Sequence, residues 1–496
     1  MTHLHSKRKL TFQGSIQFIA FTVFAICANA EIRLPRLIGS HMVLQRNSEA
    51  KIWGWAEPGE KVELHGSWLD TPAQTVARSD GFWKVAVQTT ADAGPHTIEL
   101  RGSNTIELRG SNTIGLEDIL FGEVWIASGQ SNMEMPLIKT SNAYTGIKDA
   151  EKEVAAAHHP QIRLFQAGNF SSIEPQEDVS SGISMYGVPL AKCDWQLCSP
   201  ETIPTFSSTA YFFARELHET LNVPIGIIDA SWGGTSAESW TPKSGLEFLG
   251  YESDLEQAGT KPQKPDDKVP TRLYNGMIHP LRHLKIKGTI WYQGESNTTR
   301  AEKYEQLFST MITEWRRAFN DDFSFYFTQI SPFNYENRNA AFLREAQLKT
   351  LSVPQTGMAV TMDIGNLTDI HPKNKQEVGR RLALWALAND YGQDVAYSGP
   401  QFNELMIENA EATLSFDFAN GGLTTIDGQA PSHFEIAGED RNFQPAEARI
   451  KGNKIIVSSD KVSHPVAVRY AFSSDATPNL VNVAGLPASS FRTDNY

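Results

Sequence analysis

The chain has 496 residues, of which 40% are hydrophobic and 20% charged, a globular composition long enough for more than one core. Its formal net charge is −13. Because phosphate backbones and anionic lipid surfaces are bound through basic faces, this charge argues against nucleic acid or an anionic membrane as a partner.

The first thirty residues have the organisation of a secretory signal. A basic start at 7–9 precedes an apolar stretch at 16–27, and Ala-Asn-Ala at 28–30 forms a small-x-small cleavage site. Removal of 1–30 would leave a mature chain of charge −16 starting at Glu31, so we expect a secreted or periplasmic protein. A membrane anchor and a lipoprotein at Cys27 are the alternatives, although the apolar run is short for a span. No later segment is long and apolar enough to cross a bilayer.

Two cysteines, Cys193 and Cys198, would remain after cleavage. In an exported chain they either form a local disulfide or stay as free thiols, because spacing does not fix their geometry. Two thiols without a nearby histidine cluster make a poor metal site.

Residues 31–116 are typical of a small β-rich, sandwich-like domain. Short apolar or alternating runs at 52–55, 62–64 and 83–87 are separated by Gly, Pro and Asp turns. The octapeptide 97–104 recurs at 105–112, and we expect a longer hairpin or a looped-out copy without catalytic meaning.

From 117 to 397 the pattern changes to alternating strands and helices, which predicts a parallel sheet covered on both faces. A segment rich in Gln, Lys, Asp and Pro, 249–267, is predicted as a surface loop. After 398 the β pattern returns and predicts a C-terminal β-rich domain with strands near 412–416, 448–450, 454–458 and 466–470. The predicted strands of the middle domain are 124–127, 225–229, 288–292, 323–330 and 358–362, and its helices include 207–221, 301–319, 339–350 and 372–391.

Ser131 follows the first of these strands and a small, polar turn at 128–130. A serine at the carboxyl end of a strand and near a helix N-terminus is exposed and close to backbone N–H groups that stabilise an oxyanion. It is therefore a candidate nucleophile. The alternative is an ordinary helix N-cap.

Later strands end in groups that could complete such a site. Gly233 and Gly234 let a backbone N–H approach a ligand closely. The Asn297 amide can donate to an oxyanion. His371 is a candidate base, and Asp369, two residues earlier, would point the same way in an extended segment and orient the ring. Each has a structural alternative, such as a tight turn, a helix cap or a solvated acid.

Four blocks in this order resemble the sialate O-acetylesterase family of the SGNH hydrolases. They are Gly-Gln-Ser-Asn-Met at 129–133, Trp-Gly-Gly-Thr at 232–235, Trp-Tyr-Gln-Gly-Glu-Ser-Asn at 291–297 and Asp-Ile-His-Pro at 369–372. Further matches at 42–46, 274–277, 344–347 and 485–492 extend the resemblance over most of the chain.

The resemblance implies a flavodoxin-like α/β/α three-layer catalytic domain that deacetylates a carbohydrate. It implies Ser131 as nucleophile and His371 as base, with oxyanion donors from the Ser131 N–H, the N–H of Gly233 or Gly234, and the Asn297 amide. Many SGNH enzymes carry the acid three residues before the histidine, where this chain has Thr368. The acid is then Asp369 in a shifted geometry, a residue from elsewhere, or a backbone carbonyl in its place.

We therefore expect a secreted carbohydrate O-acetylesterase that needs neither metal nor cofactor. Acetylated sialic acid and acetylated plant polysaccharides such as xylan or xyloglucan are both possible substrates. The rivals are a glycoside hydrolase that uses Glu295 in its acid pair and a noncatalytic carbohydrate-binding protein. Candidate substrate-binding residues are Gln130, Glu295, Trp232 and Arg344, with Trp240 and Trp291 as further stacking candidates.

Overall fold

The computed structural model describes residues 31–103, 112–181, 193–261, 269–336, 339–419 and 421–496. The predicted signal peptide lies outside these residues, as does nearly all of the second octapeptide copy. No helix of the described residues is long and apolar enough to cross a membrane.

The N-terminal region is built from antiparallel strands and ends in one very long strand. That strand, β7 (Thr113–Gly129), continues without a break from this region into the catalytic sheet, so it crosses the boundary predicted at 116/117. Its first part pairs with β6 (His96–Gly102), residues 120–122 pair with β1 (Val43–Gln45), and residues 123–129 lie in the catalytic sheet. The strands are β1 (Val43–Gln45), β2 (Glu49–Trp55), β3 (Lys61–Gly66), β4 (Ala73–Val76), β5 (Phe82–Gln88), β6 (His96–Gly102) and β7 (Thr113–Gly129).

The catalytic region alternates strands and helices. Its strands are β8 (His159–Gln166), β9 (Gln196–Cys198), β10 (Ile225–Ser231), β11 (Gly288–Tyr292), β12 (Ser324–Thr328) and β13 (Thr356–Ala359). Its helices are α1 (Ser131–Glu134), α2 (Ala150–Ala156), α3 (Ser208–Leu221), α4 (Ala237–Trp240), α5 (Lys243–Phe248), α6 (Glu252–Thr260), α7 (Ala301–Phe319), α8 (Ala341–Lys349) and α9 (Lys375–Asn389). A π-helical turn covers Tyr274–Ile278, and 3₁₀ turns cover His279–Leu281, Glu295–Arg300 and Thr350–Ser352.

The central sheet has the order β13-β12-β11-β7-β10-β8, with all neighbouring pairs parallel, and β9 adds an antiparallel edge to β8. After β7 the chain first forms β8 and β9 on one side and returns to place β10 between β8 and β7, and it then builds outward on the other side through β11 to β13. The carboxyl end of β7 is therefore a topological switch point, where open α/β sheets bind their ligands.

Two apolar layers cover this sheet. Helices α3 and α9 pack on one face around Trp125 and Tyr292, while α7 packs on the other around Trp291 and Phe325. The arrangement confirms the predicted three-layer α/β/α fold.

The C-terminal region is β-rich, as predicted. It has two four-stranded antiparallel sheets and a small two-stranded one. The strands are β14 (Gln401–Glu408), β15 (Glu411–Asp417), β16 (Leu423–Thr425), β17 (Phe434–Ala437), β18 (Gln444–Pro445), β19 (Glu447–Lys451), β20 (Lys454–Ser458), β21 (Ala467–Tyr470), β22 (Leu480–Asn482) and β23 (Phe491–Arg492).

Three local predictions differ from the structure. The predicted surface loop 249–267 contains helix α6 in its described part. The last catalytic helix was predicted from 372 but begins at Lys375, because the Asn374 side chain accepts from the Glu377 N–H and caps it there. The predicted strand 358–362 is shifted to Thr356–Ala359.

Cys193 and Cys198 are both free thiols and do not form the local disulfide that was one of the two expectations. Cys193 donates toward the Ser180 carbonyl, and Cys198 toward the Ala157 carbonyl. The two side chains pack in separate hydrophobic clusters. Cys193 lies in a turn with φ +45° and Cys198 in strand β9, so the two side chains enter different parts of the core.

Candidate active site

A cavity of about 610 Å³ opens at the carboxyl edge of the central sheet. Five neighbouring strands each contribute the segment that follows them to its wall, so the sheet gathers residues from Gln130 to His371, which are far apart in the chain. The lining after β7 is Gln130, Ser131, Ala143 and Tyr144; after β10 it is Gly234; after β11 it is Glu295 and Ser296; after β12 it is Phe333, Asn334, Tyr335 and Glu336; and after β13 it is Ile370 and His371.

Ser131 is the first residue of α1, immediately beyond the turn at the end of β7. The turn needs a glycine: Gly129 has φ +135°, and a Cβ there would lie 2.2 Å from the Tyr292 carbonyl oxygen. The Gln130 N–H donates to that same carbonyl (2.9 Å) and fixes the start of the helix beside β11. As the first helical residue, Ser131 has a backbone N–H without an acceptor inside the helix.

His371 forms the opposite wall, in the loop before α9. Burial and the nearby Lys375 ammonium lower the pKa of His371 to about 4, against the opposing effects of Asp369 and the Ala143 backbone. Its ring packs edge-on against Tyr144 at a centroid distance of 5.3 Å. At neutral pH the imidazole is therefore uncharged and able to accept a proton.

Asp369 does not hydrogen-bond the imidazole ring. Its Oδ1 accepts from the backbone N–H of His371 (2.9 Å) and lies 3.7 Å from His371 Nδ1, beyond hydrogen-bond distance. The carboxylate thus acts on the ring through charge, whereas the sequence prediction had it holding a ring nitrogen.

A buried polar network lies beneath the cavity. Asn132 is its centre: its Nδ2 donates to Glu295 Oε1 (2.6 Å) and to the Ile370 carbonyl (3.0 Å), and its Oδ1 accepts from Lys375 Nζ (2.5 Å). Burial raises the pKa of Glu295 and lowers the pKa of Lys375 to about 7. Because Ile370 directly precedes His371, this network ties the histidine loop to the serine helix.

The two glycines after β10 have different roles in the structure. The Gly233 N–H donates to Glu134 Oε2 (2.7 Å), which also accepts from the Tyr144 hydroxyl (2.8 Å). Gly234 is exposed, has φ +68° and lines the cavity. Glu134 therefore fixes the glycine turn through Gly233 and leaves Gly234 at the cavity wall.

Asn297 is not brought to the cavity. It is 1% exposed; its Nδ2 donates to Glu238 Oε2 (3.0 Å), and its Oδ1 accepts from Gln293 Nε2 (2.7 Å) and the Ala237 N–H (3.0 Å). In this structure the amide ties the segment after β11 to α4.

Comparison with known proteins agrees with this geometry. A model of the family "Carbohydrate esterase, sialic acid-specific acetylesterase" matches residues 122–388, more than half of the chain. The chain belongs to this family. The match spans β7 to α9, the region that carries the cavity, and it confirms the resemblance derived from the sequence blocks.

Individual relatives extend the match beyond the catalytic region. The mouse sialate O-acetylesterase is 29% identical over 444 residues, covering 79% of this chain and 80% of its own. The human sialate O-acetylesterase is 28% identical over 407 residues, covering 75% and 74%. The crystal structure of a carbohydrate acetylesterase from Xanthomonas citri is 37% identical, with a TM-score of 0.82, and covers 94% of this chain and 100% of its own. The protein is thus a carboxylic ester hydrolase, as predicted.

Arg344, a predicted substrate-binding residue of this carbohydrate esterase, does not line the cavity. Arg344 is fully buried and binds the C-terminal region, where its guanidinium donates to the Ser473 carbonyl and to Ser490 Oγ. Its neighbour Glu345 pairs with Arg492 (3.0 Å).

The tryptophans near the sequence blocks belong to the esterase core. Trp232 is 2% exposed and does not line the cavity, while Trp240 and Trp291 are fully buried and pack edge-to-face at 6.0 Å. The aromatic wall of the cavity comes instead from Tyr144, Phe333 and Tyr335. Two of the predicted substrate-binding residues, Gln130 and Glu295, also line the cavity. Gln130 Oε1 accepts weakly from the N–H groups of Gly294 and Ser296 (3.4 and 3.3 Å).

Sequence reasoning missed Asn132, Glu134 and Lys375. Asn132 stood inside the quoted serine block, and Glu134 one residue beyond it, so an unexplained polar side chain next to a buried strand was the available signal. The signal for Lys375 was weaker, because a lysine in the first turn of a helix is normally solvated, whereas here it is fully buried.

Among the described residues no cluster of His, Cys, Asp and Glu has the arrangement of a metal site.

Proposed function

We propose that this chain is an exported esterase that removes O-acetyl groups from a carbohydrate, with Ser131 as nucleophile and His371 as base. The observation that carries the proposal is the convergence of both residues, from opposite ends of the catalytic region, on one cavity of about 610 Å³. Export is inferred from the basic, apolar and small-residue pattern of residues 1–30.

In the first half-reaction the neutral imidazole takes the Ser131 hydroxyl proton as Oγ attacks the acetyl carbonyl carbon. The carbonyl π bond breaks and leaves negative charge on its oxygen. When that tetrahedral intermediate collapses, the bond to the sugar oxygen breaks, and the imidazolium returns the proton to the leaving hydroxyl. Water then attacks the acetyl-serine with the same base, and acetate leaves.

The oxyanion donors we assign are the backbone N–H groups of Ser131 and Gly234. Gly234 is preferred over Gly233, because the Gly233 N–H already donates to Glu134. Asn297 is left out of the set, since its amide is buried against Glu238. Removal of one such donor typically costs ~10²–10³ in rate.

The cavity wall favours a sugar ester over a purely polar ligand. Tyr144, Phe333, Tyr335 and Ile370 give it apolar faces that suit an acetyl methyl group and the C–H face of a pyranose ring. Acetylated sialic acid is the substrate named for the mouse and human relatives. Acetylated xylan and xyloglucan remain the alternative, and a substrate panel of all three decides between them.

The test is acetate release from 4-nitrophenyl acetate by the wild type, Ser131→Ala and Ser296→Ala. Ser296 is a second serine on the same wall and is the matched control. We expect Ser131→Ala to lose at least ~10³ in kcat, because the residual rate comes from the oxyanion donors and binding alone. Ser296→Ala should keep most of the rate. Equal rates for Ser131→Ala and the wild type would refute the mechanism.

Two rivals are tested by two further assays, one of glycosidic cleavage and one of sugar binding. A glycoside hydrolase would lose glycosidic cleavage in Glu295→Gln and be indifferent to Ser131→Ala. A noncatalytic binding protein would bind acetylated sugar and release no acetate.

A further inference from the structure

A second cleft, of about 540 Å³, lies where the N-terminal strands meet the catalytic region. From the N-terminal side it is lined by Trp55, Phe82 and Lys84, and from the catalytic side by Arg282 and His283. It shares no lining residue with the Ser131 cavity. Clefts between domains are preferred places for small-molecule binding.

The aromatic wall of this cleft follows from strand register. β2 and β5 are antiparallel, with Trp53 opposite Lys84 and Trp55 opposite Phe82, so these four side chains share one face of the ribbon. His283 packs onto that face, with ring centroids 5.5 Å from Trp53 and 5.4 Å from Phe82. The Arg33 guanidinium lies over the Trp55 ring (3.8 Å from its centroid) and Arg78 over the Phe82 ring (4.8 Å). The accessible apolar side of the cleft is therefore the remainder of the half-buried Trp55 and the exposed Val76.

Positive charge collects around this wall. Arg78 is paired with Asp80 (2.6 Å), and Arg282 with Glu177 (2.6 Å), which leaves Lys84 as an exposed ammonium that forms no ion pair with the described residues.

Burial lowers two pKa values in the cleft, and the neighbouring cations lower both further. Burial, followed by Lys51, Arg282 and Arg78, lowers the pKa of Lys84. Burial, followed chiefly by Arg282 and Lys84, lowers the pKa of His283 to about 3. His283 is therefore a neutral ring at pH 7, able both to donate to and to accept from hydroxyl groups.

We propose that this cleft is an accessory binding site for a carboxylate-bearing carbohydrate, held by Lys84 and packed against the half-buried Trp55. Sugars present an apolar C–H face and a rim of hydroxyls, which match an aromatic wall beside a neutral imidazole. A carboxylate on the sugar supplies the partner that Lys84 lacks. Uronic acids and sialic acids share this chemistry.

The contrast with the rest of the molecule supports an anionic ligand. The whole chain has a formal charge of −13, so its average surface repels an anionic glycan. A local cationic cleft is then the place where such a ligand gains attraction, and it would retain an anionic polymer near the esterase without occupying the Ser131 cavity.

The experiment is titration calorimetry of the full chain carrying Ser131→Ala, in low salt and in 0.5 M NaCl. The probes are tri-galacturonic acid, sialyllactose and, as the neutral reference, xylotriose. We expect at least one acidic probe to bind more tightly than xylotriose, and its affinity to fall in high salt. Added to the Ser131→Ala chain, Lys84→Gln should weaken that binding several-fold, and Lys84→Glu should weaken it further by repulsion.

The control is Lys152→Gln, which removes an exposed lysine from α2, away from the cleft. It should leave binding unchanged, and in chains that retain Ser131 all three lysine variants should keep the wild-type rate on 4-nitrophenyl acetate. The acidic probe that binds identifies the class of sugar acid. Equal affinity for xylotriose, no binding of either acidic probe, or identical losses in the Lys84 and Lys152 variants would overturn the proposal. Because binding is measured directly, these outcomes are independent of whether Ser131 is the nucleophile.

Discussion

Asp369→Asn separates charge from structure at the candidate base. Asp369 Oδ1 accepts from the His371 backbone N–H at 2.9 Å, and an asparagine keeps that acceptor. What the substitution removes is the negative charge 3.7 Å from His371 Nδ1. The loop should therefore stay in place while the imidazolium formed during reaction loses its nearest anion.

The size of the effect follows from Coulomb's law. At 3.7 Å two unit charges interact by about 1 kcal/mol in water and about 4.5 kcal/mol at an effective dielectric constant of about 20. The Asp369 side chain is 28% exposed, so solvent screening places the value near the lower end, at about 1.5–2 kcal/mol. That corresponds to a fall of about 10- to 30-fold in the plateau value of kcat/KM.

The same charge shifts the acid limb of the pH profile. Only the neutral imidazole accepts the Ser131 proton, so kcat/KM of the wild type should rise with pH and reach half its plateau near the His371 pKa of about 4. Removing the anion destabilises the protonated ring and lowers this pKa by about one unit. At pH 4 the variant should then keep about nine-tenths of its own plateau, where the wild type keeps about half.

The assay is hydrolysis of 4-nitrophenyl acetate from pH 3 to 9, with Glu336→Gln as a matched loss of one carboxylate elsewhere on the cavity wall. A plateau loss of ~10⁴, the size measured for a triad acid that hydrogen-bonds its histidine, would refute the charge-only role. An unchanged profile would show that the Asp369 charge does not reach the ring.

Three other outcomes follow from the described contacts. Glu134→Gln turns one of two buried acceptor oxygens into a donor, so urea unfolding should show a loss of about 1–3 kcal/mol and kcat should fall; unchanged stability would contradict the Glu134–Gly233 bond. Arg344→Met should lower the melting temperature but leave KM unchanged, because the guanidinium binds Ser473 away from the cavity; a raised KM with intact stability would return Arg344 to the substrate site. Reducing agent should not change the melting temperature, since both cysteines are free; a drop would show a disulfide.

The sequence predicted the position of the site because parallel strands bring their carboxyl ends to one edge. Ser131, Gly234, Glu295 and His371 each follow a strand of that sheet, so finding the strands was enough to predict their convergence. Strand β8 was missed, because its first residues, His-Pro-Gln, are polar or turn-forming and its buried Arg163 interrupts the apolar pattern. That arginine is compensated by an ion pair with Asp118 (2.7 Å), a partner 45 residues away.

The finer assignments depend on contacts between distant segments. Gly233 and Gly234 are equivalent as sequence, and what distinguishes them is Glu134, 99 residues earlier, which takes the Gly233 N–H. Asn297 sits in the same 3₁₀ turn as Glu295, yet Glu238 and Gln293 draw its amide away from the cavity. No local pattern carries this information.

Asp369 shows how a local rule fails when a competing local rule is stronger. Alternation in an extended segment would direct residues 369 and 371 to one side. Instead the Asn366 side chain accepts from the N–H groups of Thr368 and Asp369, and Asp369 then accepts from the N–H of His371, so two Asx-type turns follow each other. A short acidic side chain satisfied by the backbone two residues on cannot also reach the ring of that residue. The orientation of His371 therefore depends on the loop itself, which the Ile370 carbonyl ties to Asn132, more than on a partner carboxylate.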